Sequence, residues 1–120
     1  MGRSLAGRGH LATDEKGHLL IDDIDTVALA KEFRSPLYIV SGSRLRSNFR
    51  DFKTAFESVY DRVLVCFAYN ANSHLAVCRV LKEEGAGAEV ASGGELHTAI
   101  KAGVPAEKII FDGPSKTIDE

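Results

Sequence analysis

The chain has 120 residues, of which 44% are hydrophobic and 27% charged, and its formal net charge is -2. This is an ordinary composition for one compact domain. It carries no basic field to recruit nucleic acid or acidic lipid, and no apolar run approaches the roughly 20 residues that cross a bilayer.

Met1 to Thr13 is small, polar and basic without an apolar h-region, so it does not read as a secretory signal and is expected to fray. His18 to Asp22 (HLLID) predicts a short strand. Asp25 is placed to cap a helix through Val27, Ala28, Leu29, Ala30 and Phe33, and Ser35-Pro36 ends it because the residue before proline is pushed out of the helical region. Leu37 to Val40 (LYIV) is rich in strand formers and reads as a strand. Ser43 then caps an amphipathic helix, with Leu45, Phe49, Phe52 and Phe56 on one face and Arg44, Arg46, Arg50, Asp51 and Lys53 largely on the other.

From Arg62 the pattern becomes regular. Arg62 to Ala68 (RVLVCFA) is a near-continuous apolar strand of the kind buried on both faces. A polar turn, Asn70 to Ser73, leads into a helix from His74 to Glu84 that Gly85 closes. Ala88 to Ala91 is the next strand. Ser92-Gly93-Gly94-Glu95 has the form of a capping box and opens a helix that ends at Gly103. Lys108 to Phe111 (KIIF) is a third strand, and Thr117 and Glu120 are spaced as the ends of another capping box.

Such a βαβαβ series with short connections implies parallel strands and right-handed crossovers. It suits a doubly wound sheet or a piece of an eightfold barrel. A whole barrel needs about 250 residues, so the sequence reads as a fragment or a strongly truncated protein. Chemistry in such folds gathers at the C-terminal ends of strands, here the turns Tyr69–Ser73, Ser92–Glu95 and Asp112–Thr117. Helix capping alone accounts for any one of them; their shared edge is what points to function.

Other motifs fail. Gly113-Pro114-Ser115-Lys116-Thr117 lacks the glycine directly before the lysine that a phosphate loop requires, and Gly85-Ala86-Gly87 follows a helix and precedes a strand, the reverse of the dinucleotide fingerprint. Cys66 and Cys78 match no thiol motif and read as small buried hydrophobes in a reducing cytosol. His74 and Cys78 share a helix face, but two ligands are too few, and no metal is expected.

Phe67 to Gly94 (FAYNANSHLAVCRVLKEEGAGAEVASGG) closely resembles the diaminopimelate decarboxylases. That family runs strand, aromatic-Ala-x-Lys-Ala-Asn-Ser, helix, then Gly-x-Gly-Ala-(Asp or Glu)-Val-x-Ser-Gly-Gly-Glu-Leu. Leu20 to Asp25 and Ser35-Pro36-Leu37-Tyr38 look like its "IDGVD" and "TPLY" segments, and Lys101 to Thr117 looks like its "KAGVP-x-x-KI-x-F-x-G-x-x-K-T".

The resemblance implies an α/β fold, part of a (β/α)8 TIM barrel of the alanine-racemase-like kind, truncated after about three βα units. Residues 1–41 would form an N-terminal segment that packs on a β domain, and residues 42–120 the first part of the barrel. It implies pyridoxal 5'-phosphate as cofactor, an amino-acid substrate, a homodimer in the cytoplasm, and loss of carbon dioxide from meso-diaminopimelate to give lysine. Ornithine, arginine and carboxynorspermidine decarboxylases are similar in fold; the Ser-Gly-Gly-Glu-Leu turn favours diaminopimelate. A non-catalytic relative that binds a partner through the dimer surface is the competing reading.

The departure is Asn70, which stands where the family keeps the lysine that links covalently to the cofactor. An amide is not nucleophilic, so covalent attachment through Asn70 is not possible and this chain is expected to be inactive alone. Glu89 matches the acidic residue beside that lysine, Glu95 the glutamate of the Ser92 turn, and Ala68, Asn72 and Ser92 match positions that border the cofactor.

Overall fold

The computed structural model describes residues 3–4, by backbone alone, and 9–120. The chain falls into two compact units divided between Leu45 and Arg46.

The first unit is an antiparallel meander followed by a helix. Strands β1 (Arg3–Ser4), β2 (Leu11–Thr13), β3 (Leu19–Ile21) and β4 (Ile24–Asp25) pair in sequence order. The expectation that the start of the chain frays is therefore corrected for Arg3–Ser4 and Leu11–Thr13; residues 1, 2 and 5–8 lie outside the described ones. Asp14 shapes the turn between β2 and β3, its Oδ1 accepting from the backbone N–H of Lys16 at 2.9 Å and of His18 at 2.8 Å. The β3–β4 hairpin turns on Asp22 and Asp23, whose φ angles are 49° and 63°. Asp22 accepts from the hydroxyls of Ser41 and Ser43, and these bonds, the Ser43 bond first, hold its carboxyl below the usual range.

Asp25 caps α1 (Thr26–Phe33), as its sequence position predicts, by accepting from Val27 N at 2.8 Å. Its other oxygen accepts from His18 Nδ1 at 3.0 Å, with Asp14 Oδ2 3.6 Å from the same nitrogen. Residues 37–40 form no strand and all four are exposed. Strand propensity measures how well a side chain fits a sheet surface, and no strand among the described residues pairs with this segment.

Helix α2 (Gly42–Glu57) begins one residue before Ser43. Its capping hydroxyl is that of Ser41, which accepts from Arg44 N at 3.0 Å; Ser43 is occupied with Asp22 instead. Of the expected apolar stripe only Phe49 is buried. Phe52 and Phe56 stack against one another, 4.8 Å between centroids, and stay about half exposed.

The second unit holds the βαβαβ series: β5 (Cys66–Ala68), α3 (Leu75–Glu83), β6 (Gly87–Val90), α4 (Gly93–Ala102) and β7 (Ile109–Phe111), with a single 3-10 turn at Ala106–Lys108. The strands are parallel in the order β5-β6-β7. Both helices end where glycine was expected, at Gly85 (φ 93°) and Gly103 (φ 83°), a backbone conformation that disfavours any side chain. The first strand is shorter than the apolar run: residues 62–65 lie outside it, Val65 contributing only its carbonyl, which accepts from Gly87 N at 3.0 Å. Among the described residues, no helix is long and apolar enough to cross a membrane.

Candidate functional site

Side chains alternate along a strand, and the register decides which ones share a face. Ala68 pairs with Glu89, and Glu89 with Ile110. Phe67, Tyr69, Ala88, Val90, Ile109 and Phe111 take the opposite side, where they join the core with Cys78, Ala99, Ala102 and Val104. Ala88, Val90 and Ala99 are wholly excluded from solvent. The other face, carrying Cys66, Ala68, Glu89 and Ile110, is open: Ile110 is 49% exposed. The expectation that the first strand is buried on both faces is thus corrected. Burial comes from α3 and α4 on one side only.

Pairing continues one residue past the strand ends. Tyr69 N donates to Glu89 O at 3.0 Å and Asp112 N to Val90 O at 3.1 Å. Tyr69 is anchored in the core, where burial pushes its phenol far above the ordinary value. The next residue, Asn70, emerges exposed at the head of the turn. Asp112 is two residues beyond Ile110, so it continues the face that bears Glu89.

The turns are held by their own side chains. Asn72 Oδ1 accepts from His74 N at 3.0 Å, and His74 Nδ1 accepts from Ala76 N at 3.3 Å, making His74 the cap of α3 rather than its first residue. Ser92 Oγ accepts from Glu95 N at 3.3 Å. Glu95 reaches back past Ser92, its Oε2 accepting from Ala91 N at 2.7 Å. The capping reading of Ser92 and Glu95 therefore holds, whereas at the first turn the cap is His74, with Asn72 bracing it from outside the helix. Glu120 closes a third link by accepting from Gly93 N at 2.8 Å and from Thr117 N at 3.0 Å.

The carboxyl of Glu89 is raised above its ordinary value. Its hydrogen bond with Asp112 is the main cause, followed by partial burial and the like charges of Asp112 and Glu95. Glu89 and Glu95, singled out in the sequence, thus come together. Asp112, which the sequence reading took only as the start of a turn, joins them. The signal for it lay in the parallel register, which a single strand does not reveal. Separately, the first unit contains a cavity of about 260 Å³ lined by His10, Asp22, Asp23 and Ser43 among others, none of them a residue singled out for chemistry.

The donor set at these strand ends is an amide and carboxyls. It contains no amine at position 70, so the residues present do not fit a covalently held aldehyde cofactor.

Parallel βα units with polar groups collected past the strand ends define an α/β protein with its chemistry on the C-terminal edge of the sheet. Similarity to known proteins makes that class specific. The pattern described as "Pyridoxal-dependent decarboxylase, pyridoxal binding domain" matches residues 43–120. The diaminopimelate decarboxylase of Methanothermobacter thermautotrophicus is 42% identical over 110 residues, which cover 92% of this chain and 26% of that protein. The crystal structure of diaminopimelate decarboxylase from M. jannaschii superposes with a TM-score of 0.86 at 36% identity, over 94% of this chain and 27% of that one. A second structure of the M. jannaschii protein, in co-complex with L-lysine, gives 0.80 at 35% identity with the same coverage. The chain belongs to the pyridoxal-dependent decarboxylase family. It corresponds to the N-terminal part of diaminopimelate decarboxylases and spans about a quarter of the length of the relatives it matches.

Proposed function

We propose that this chain supplies the first wall of a diaminopimelate decarboxylase site, with residues 42–120 opening the barrel and residues 1–41 packing on a β domain. In this reading the whole protein is a cytoplasmic homodimer of the kind whose family reaction turns meso-diaminopimelate into lysine and carbon dioxide, a reaction that needs an amine at position 70. In the family, pyridoxal phosphate would supply the electron withdrawal that decarboxylation needs; here Ala68, Asn72 and Ser92 would border it, and Glu89 and Glu95 would set the charge of the pocket. The observation that carries the reading is the position of Asn70, exposed at the first turn past a core-anchored strand and on the edge that bears Glu89. The substrate is supported by the M. jannaschii co-complex, in which a similar protein holds L-lysine, the product of this reaction.

Asn70 leaves the site without a nucleophilic amine, so the chain as it stands does not decarboxylate. The test is Asn70→Lys in the longest reading frame that carries this chain. The lysine form is expected to gain pyridoxal phosphate absorbance, a borohydride-reduced adduct at position 70, and carbon dioxide release from meso-diaminopimelate. Equal turnover by the asparagine and lysine forms sinks the assignment of position 70. Cofactor uptake without decarboxylation of any amino acid keeps the family and removes the substrate.

A further inference from the structure

We propose that Asp112 is a positioning residue for Glu89: the two carboxyls, set side by side on the open face of the sheet, hold one proton between them and present Glu89 as a hydrogen-bond donor rather than as a fixed anion. The proposal rests on the reading above, in which that face borders substrate and cofactor.

The geometry starts from the backbone. Glu89 is in register with Ile110, and Asp112 is the next residue of β7's side of the sheet to face the same way. The bond from Asp112 N to Val90 O keeps it within the ladder, so its side chain is held beside that of Glu89 and not swept into the loop. Gly113 follows at once and fits only because it lacks a Cβ, since one built there would lie 2.2 Å from Ala91 O. The β6 and β7 ends are therefore locked in close approach, and the carboxyls with them.

Two carboxylates at hydrogen-bonding range repel if both are ionised, whereas one shared proton turns the repulsion into a strong charge-assisted bond. The titratable groups facing Glu89 act in one direction. Asp112 past β7 and Glu95 of α4 both disfavour its charge, and Cys66 of β5, whose thiol is pushed up chiefly by burial and then by Glu89, adds no cation. Position 70, where a cation would oppose this, offers a neutral amide. The proton on the carboxyl pair takes over the neutralising role that an ammonium would have there.

The test follows the Glu89 side-chain carboxyl by NMR in the full isotope-labelled chain, across the acid and neutral range. Amide resonances of Val90 and Leu81 report that the fold is kept. The expected result is a Glu89 midpoint above that of an ordinary glutamate, falling to the ordinary range in both Asp112→Asn and Asp112→Ser. A Glu89 that titrates ordinarily in the unsubstituted chain overturns the proposal, as does a high midpoint that survives both substitutions. Asn70→Lys separates this from the reading beneath it. If the new ammonium lowers the Glu89 midpoint, both stand. If Asp112 controls the midpoint and Asn70→Lys leaves it high, the carboxyl pair stands and position 70 is not part of its site.

Discussion

Arg46 Nη1 donates to Glu84 Oε1 at 2.8 Å, tying α2 to the last turn of α3. Arg50 grips the same carboxylate through Nε and Nη2. The second guanidinium nitrogen of Arg46 reaches Glu83 at 2.6 Å. Glu84 thus serves two cations with a side chain that is only 8% exposed, while Glu83 serves one and is 57% exposed.

Substitution of these two neighbours is therefore unequal. Glu84→Gln is expected to lower the melting temperature clearly more than Glu83→Gln, because exposed single ion pairs contribute little and a covered carboxylate leaves two donors unmatched when neutralised. The guanidiniums hold the Glu84 carboxyl below its ordinary value, the Arg50 bond being the larger cause. A depressed folded value means that the contribution is present above the ordinary carboxylate range and lost as pH falls through the folded value. Thermal melts on the acid side should converge for the parent and Glu84→Gln. Equal losses from both substitutions at neutral pH would refute the ranking.

Gly113 gives a packing prediction. Alanine there is expected to cost about 1–3 kcal/mol, as overpacking against rigid backbone does, and to part the ends of β6 and β7. Gly87→Ala meets Cys66 Sγ and Lys108 O, both at 2.6 Å, and should also destabilise. Urea unfolding measures both. A neutral Gly113→Ala would mean that the chain just past β7 is not held against Ala91.

The β3–β4 turn predicts a gain. Two consecutive left-handed residues suit a type I′ hairpin, whose second position favours glycine. Asp23 occupies that position at φ 63° and is exposed. Asp23→Gly should stabilise by about 0.5–1 kcal/mol, the order of a relieved left-handed side chain less the entropy of glycine. Asp22→Gly should do the opposite, since its carboxylate binds Ser41 and Ser43. Both signs are read from denaturant midpoints at unchanged slope.

Asp25 supplies a second proton-linked contact. The His18 bond is the main reason that its carboxyl lies below the ordinary value. Its contribution is present above the ordinary range and disappears as pH falls through the lowered one. His18→Gln should reduce the acid-side decline in stability of the first unit. An unchanged pH profile in His18→Gln would show that the α1 cap alone sets the Asp25 value.

The sequence made the second unit legible because each helix there is framed by its own signals. Gly85 and Gly103 stop helices, and Ser92 with Glu95 starts one, through contacts only a few residues apart. The first unit was harder. β2, β3 and β4 are two or three residues long, too short for a period to emerge, and Asp22-Asp23 lacks the glycine that marks a hairpin. Leu37–Val40 has the composition of a strand, but pairing is a property of two segments. Asp112 was missed for the same reason: its neighbour Glu89 is distant in sequence and is brought alongside by the register of β6 and β7. Asn70 was legible only through the resemblance, since nothing in its local composition marks the position as one for an amine.

The one-sided burial of the parallel sheet has a consequence for its two thiols. Cys66 belongs to the open face and Cys78 to the sealed one, where it is 1% exposed. Each sulfur is thus a natural label for one surface. Alkylation rates resolved by mass spectrometry would follow them independently: Cys66 would slow whenever something came to rest on the open side, whereas Cys78 would react only when α3 lifted away.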